Sequence, residues 1–122
     1  MVIIDANAIL RIILSDDAPM EKEVKNLIRQ NPVLIRNEVM AEIVYVLMKV
    51  YKVSKAEVCQ CLLNLIKVSN IYLESEKIVL CALQTFESNN IDFVDSLLCA
   101  YHFIDDLEIF TFDKKIKKLI EK

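Results

Sequence analysis

Apolar positions fall into two rhythms along this chain. Val2–Ile4, Val33–Ile35 and Ile71–Leu73 are short uninterrupted runs that read as buried strands, and "EIFTF" at 108–112 reads as a last one. Elsewhere the spacing is that of helices. "ANAILRIIL" runs helically to Ser15, "SDDAP" is a loop that places Pro19 near the start of a helix over 20–30, and Pro32 closes the connection. From Asn37, apolar residues at 39, 43, 46, 47 and 50 share one helix face. Ser54 caps a further helix to about Ser69, with Glu57 at the capping-box position. A helix over 75–88 ends at "SNN", "IDFVDSLLCAYHFI" forms another, and "KKIKKLIEK" closes the chain. Short strands alternating with helices imply a parallel sheet covered on both faces, an α/β fold built as a three-layer α/β/α sandwich. In such sheets ligands bind beyond the carboxyl ends of the strands.

The length of 122 residues predicts a single domain over 1–122. Hydrophobic residues make up 55% of a chain with no glycine at all. That exceeds what a small monomer needs and predicts a surface for self-association or a partner. The net charge of −3 argues against unaided phosphate binding, though not against binding through metal ions. The absence of glycine excludes phosphate loops of the GxxxxGK[ST] and GxGxxG types and the GxSxG nucleophile elbow, all of which need positive φ or close backbone approach. Cys59, Cys61, Cys81 and Cys99 form no CxxC pair, and no signal peptide precedes them, so reduced thiols and a cytoplasmic location are expected. No run approaches the ~18 apolar residues of a membrane span.

The chemistry lies with the acids, and each has an ordinary explanation. Asp5 follows the first strand directly and suits a helix N-cap, as does Asp113 after "IFTF". Asp92 and Asp95 resemble a capping box, with Asp95 inside the first turn, where the helix dipole favours its anion. Glu38 and Glu42 share a helix face, but Glu42 lies a turn deeper in an apolar stretch and has no lysine at the usual spacing. Caps at helices that follow parallel strands all lie along one sheet edge, so Asp5, Asp95 and Asp113 are expected to converge there, within reach of Glu42. Two carboxylates ~5 Å apart repel by about 3 kcal/mol at an effective dielectric of ~20, so such a cluster calls for a cation or a trapped proton. An all-oxygen site suits Mg²⁺ or Mn²⁺.

"VIIDANAILRIIL", "NEVMAEIVYVL", "IDFVDSLLCA" and "IFTFDKKIKKL" resemble, in order and over nearly the whole chain, the motifs of the PIN domain family, and among its members the small VapC-type toxins of prokaryotic toxin–antitoxin pairs. The resemblance implies a magnesium- or manganese-dependent ribonuclease with catalytic, metal-holding Asp5, Glu42, Asp95 and Asp113. It places Asn7 and Thr111 beside them as supporting polar groups, with Asp92 and Glu38 as accompanying acids. It also implies a homodimer and a cognate antitoxin protein. One departure is the glycine-free "FIDDLEIF", where the family often has glycine.

Arg11, Lys114 and Lys115 are the basic groups expected to steer RNA. His102 lies seven residues beyond Asp95, roughly 10 Å along a helix, and reads as structural. Two rival readings are a PIN fold kept only for protein contact and a phosphoacceptor receiver domain. The receiver normally carries an adjacent acidic pair where this chain has the lone Asp5 of "IIDAN".

Overall fold

The structure, a computed structural model, describes residues 1–121. Two compact units divide the chain, Met1–Glu74 and Ser75–Lys122.

The first unit is built on a parallel sheet of three strands in the order β1 (Val2–Ile3), β2 (Val33–Ile35) and β3 (Ile71–Leu73). Parallel strands need long crossovers. These are the helix pairs α1 (Ala6–Leu14) with α2 (Ala18–Gln30), and α3 (Asn37–Lys49) with α4 (Lys55–Ile66). Local chemistry sets their starts. Asp5, Asp17 and Ser54 accept hydrogen bonds from the first-turn amides of Ala8, Met20 and Glu57, and Pro19 stands in the first turn of α2, where its missing N–H costs nothing. Helices α1, α3 and α4 each bury one stripe, and α2 buries Ile28. Ile9, Met40, Ile43, Leu47, Val58 and Leu62 are fully enclosed together with Val33 and Ile35 of the middle strand. Helix α4 stops at Ile66, short of the expected Ser69.

The second unit holds α5 (Glu76–Ser88), α6 (Phe93–Asp105) and α7 (Lys114–Ile120). Phe86 of α5 meets Phe93 of α6 edge to face, with centroids 5.7 Å apart. Ile91, Cys99 and Ile116 form a small core against which Ile109, Leu119 and Ile120 pack. All four cysteines are free thiols.

A mostly helical chain with a short three-stranded parallel sheet agrees with the α/β/α class read from the pattern. One expected element is missing: residues 108–112 form no strand. This unit offers no other strand to pair with among the described residues, and Phe110 and Phe112 stand 89% and 84% exposed. The turn before that segment also shows how a chain without glycine makes a left-handed cap. Asp106 takes φ 57, while His102 Nδ1 lies 2.8 Å from the Leu107 carbonyl oxygen and ties the end of α6. Aspartate is among the few side chains that tolerate this region. His102 is therefore structural, as the sequence suggested. No helix is long and apolar enough to cross a membrane among the described residues.

Candidate active site

In the first unit, the sheet register sets the site's starting row. Ile3 pairs with Leu34, and Ile35 with Leu73; carried past the strand ends, this register brings Asp5, Arg36 and Glu74 level at the carboxyl edge. The row is acid, base, acid. Asp5 caps α1, its Oδ1 accepting from Ala8 N–H at 2.9 Å. Arg36 Nε donates to Glu38 Oε1 at 3.0 Å and stands 3.6 Å from Glu74 Oε1, which itself accepts from Asn37 N–H at 2.6 Å. These carboxylates, Glu38 first, push the Arg36 pKa up. Glu38 is held below the usual range by its own backbone amide and then by Arg36. It is thus a paired surface acid at the start of α3.

Glu42, one turn further along α3, is exposed and makes no hydrogen bond or ion pair among the described residues. Asn7 is exposed in the first turn of α1, and its carbonyl accepts from Arg11 Nε at 3.3 Å. Arg11 is committed further to Asp16, Nη1 to Oδ1 at 2.9 Å, with its side chain only 15% exposed.

In the second unit, three acids share one neighbourhood. Asp92 caps α6, its Oδ1 accepting from Asp95 N–H at 2.8 Å. Asp113 caps α7, its Oδ1 accepting from Lys115 and Ile116 N–H at 2.8 and 3.0 Å. Thr111 is no strand residue; its hydroxyl accepts from Asp113 N–H at 3.0 Å and fixes the backbone that presents the carboxylate. Asp95 feels both caps. Partial burial, then the Asp92 and Asp113 charges, hold its carboxyl above the ordinary aspartate range. Lys115 Nζ donates to the Asn90 carbonyl at 3.1 Å, tying α7 to the loop before α6, and Lys114 is exposed.

The ordinary explanation holds for every cap, and it leaves room for the other. Asp5, Asp92 and Asp113 each use Oδ1 for the cap, so the second oxygen of each takes no part in these bonds. No three His, Cys, Asp or Glu side chains are drawn together as a metal-ligating group among the described residues. The donor chemistry nonetheless fits a hard cation: the groups are carboxylates, and the charges of Asp92 and Asp113 add to burial in raising Asp95.

Glu74 went unnoticed in the sequence, yet its signal was present. "IYLE" ends an apolar strand on an acid as "VIID" does.

The family model for the PIN domain matches residues 2–122. No curated protein and no solved structure matches the chain.

Proposed function

The chain belongs to the PIN domain family, generally a nuclease fold that binds RNA and typically uses divalent metal ions, and from that premise we propose that it is a Mg²⁺- or Mn²⁺-dependent endoribonuclease of the VapC toxin type. The observation that carries this reading is the family match over residues 2–122, supported by a third acid, Asp95, set beside the caps Asp92, which accepts its N–H at 2.8 Å, and Asp113. A purely structural pair of helix caps gains nothing from a third acid set beside them. A cation turns that repulsion into binding.

Asp5, Glu42, Asp95 and Asp113 are the proposed metal-holding carboxylates. A divalent ion, when bound, supplies charge neutralisation at the scissile phosphate and an acidified water. The chain's own groups do the rest. Helix caps fix the Asp5 and Asp113 rotamers, Thr111 holds the Asp113 backbone, and Lys114 and Lys115 draw the polyanion. The expected products carry a 5′-phosphate and a 3′-hydroxyl. A homodimer working in the cytoplasm under the control of an antitoxin completes the proposal.

The test is cleavage of structured RNA with Mn²⁺ by the wild-type chain and by Asp5→Asn and Asp95→Asn. Asparagine caps a helix as well as aspartate does, so Asp5→Asn should keep its thermal midpoint while losing cleavage. EDTA should abolish wild-type cleavage, and Mn²⁺ should restore it. Unchanged cleavage by either variant removes that residue from the site. Failure of the wild type to bind Mn²⁺ in calorimetry favours a PIN fold that only contacts protein.

A further inference from the structure

A cleft of about 270 Å³ opens in the second unit between the turn Asn89, Asn90, Ile91 and the residues Lys115, Lys118 and Leu119 of α7. Ile91 is buried and Leu119 half-buried, and both belong to the small core around Cys99, so the floor is apolar and fixed. Asn89 and Asn90 line the cleft, and Asn89 Nδ2 donates to the Thr85 carbonyl at 2.9 Å. The Asn90 side chain is exposed and hydrogen-bonds to nothing among the described residues. Lys115 and Lys118, three apart, share one face of α7. Lys115 is anchored by the Asn90 carbonyl at 3.1 Å, which occupies one of its donors and cancels none of its charge. No carboxylate lines the cleft, and neither lysine is ion-paired among the described residues. In a chain of net charge −3 this is a local cationic spot with an apolar floor.

We propose that this cleft binds one nucleotide of a single-stranded RNA, the base resting on Ile91 and Leu119 against the Asn90 amide and its phosphate on Lys115 and Lys118. The inference rests on the nuclease reading and adds a subsite to it. The volume lies just below the ~300 Å³ of the smallest ligand pockets, a scale suited to one nucleotide. The Asn90 amide both donates and accepts, which base edges require; a peptide carboxylate could use only its donor half and has no use for the apolar floor. Position supports the same ligand. Lys115 lies two residues from Asp113 and Asn90 two from Asp92, so their Cα atoms stand no more than about 7 Å from those of one proposed metal-holding acid and of the cap beside Asp95. The cleft and these acids are therefore close enough for one short RNA to meet both.

The test measures binding of a short fluorescein-labelled single-stranded RNA to the full chain in EDTA, by anisotropy over a range of salt. Lys118→Glu should weaken Kd about tenfold and lower the salt slope by about 0.7, the loss of one phosphate contact on a single strand. Lys118→Arg should retain binding. Lys77→Glu, an equal change of charge at an exposed residue near the start of α5, about 18 Å along that helix from Asn89, should leave binding within a factor of about two of the wild type, because salt screens surface charges at that range. Equal weakening by Lys118→Glu and Lys77→Glu overturns the cleft, and if the wild type still cuts RNA with Mn²⁺ the nuclease reading survives it. A wild-type chain that neither binds nor cuts RNA overturns both. Displacement of the RNA by polyglutamate of matched charge, as effective as unlabelled RNA, assigns the cleft to an acidic peptide and overturns the nucleotide.

Discussion

Asp113 shows how one side chain can serve the fold and the chemistry at once. Its Oδ1 accepts two amides at the start of α7, and the Thr111 hydroxyl accepts its own N–H. Asp113→Asn keeps the cap, whereas Asp113→Ala gives up about 1 kcal/mol of stability. Urea midpoints should separate these two variants, and RNA cleavage should not, because both lack the carboxylate. Asp95 makes a second prediction. Burial and its neighbours raise its carboxyl in the folded chain, so protonation favours folding. This stabilising contribution is complete below the ordinary aspartate pKa and fades as pH climbs through the raised folded-state value. Carboxyl ¹³C titration of the metal-free protein should place Asp95 above an exposed aspartate, and Asp92→Asn should lower it part of the way, leaving what burial contributes. An Asp95 titration indifferent to Asp92→Asn would dismiss the clustered charge. The caps were legible in the sequence because aspartate between a strand and a helix has one local meaning. Thr111 was legible only through the family resemblance, since by itself a hydroxyl in an apolar alternating run looks like any strand residue. Glu74 was missed because its partners, Arg36 and the Asn37 amide, lie far away in the chain.

At the scale of elements, helices were read more securely than strands. A helix satisfies its own backbone, so the stripe of Val39, Ile43 and Leu47 is enough to define α3 even though no side chain caps its start. A strand needs a neighbour. Val33–Ile35 finds one on each side, but 108–112, with an equally good alternating pattern, has none in its unit among the described residues. Its alternation instead places Phe110 and Phe112 on one side, with rings 5.4 Å apart. The missing glycines are likewise an element-scale matter, because connections need left-handed residues regardless. Ser15, Lys52, Asn70 and Asp106 supply them, and of these Lys52 is the worst suited, at φ 57 in the link from α3 to α4. Lys52→Gly should relieve that strain and raise stability by about 1 kcal/mol, less what glycine adds to the entropy of the unfolded chain. A urea midpoint that falls instead would show that the Lys52 side chain contributes more than its backbone costs.

For the molecule as a whole, the excess of apolar residues has to go somewhere. The end of α6 and the segment after it collect Phe103, Ile104, Leu107, Phe110 and Phe112, from 43% to 89% exposed. Scattered apolar residues on a surface need no explanation, but five within ten positions make a contiguous sticky stretch. A homodimer, which the proposed function includes, gives that stretch a place to be buried. Phe110 offers the sharpest test because at 89% exposure it contributes almost nothing to the folded protomer. If the dimer buries it, the ring adds about 1.5–3 kcal/mol to association, equivalent to a factor of roughly ten to a hundred in the dimer Kd. Light scattering behind size exclusion should then find the wild type dimeric and Phe110→Asp monomeric at the same concentration, with the two sharing one protomer circular dichroism spectrum. A monomeric wild type removes the dimer. A Phe110→Asp dimer as tight as the wild type moves the interface to another surface, away from the end of α6.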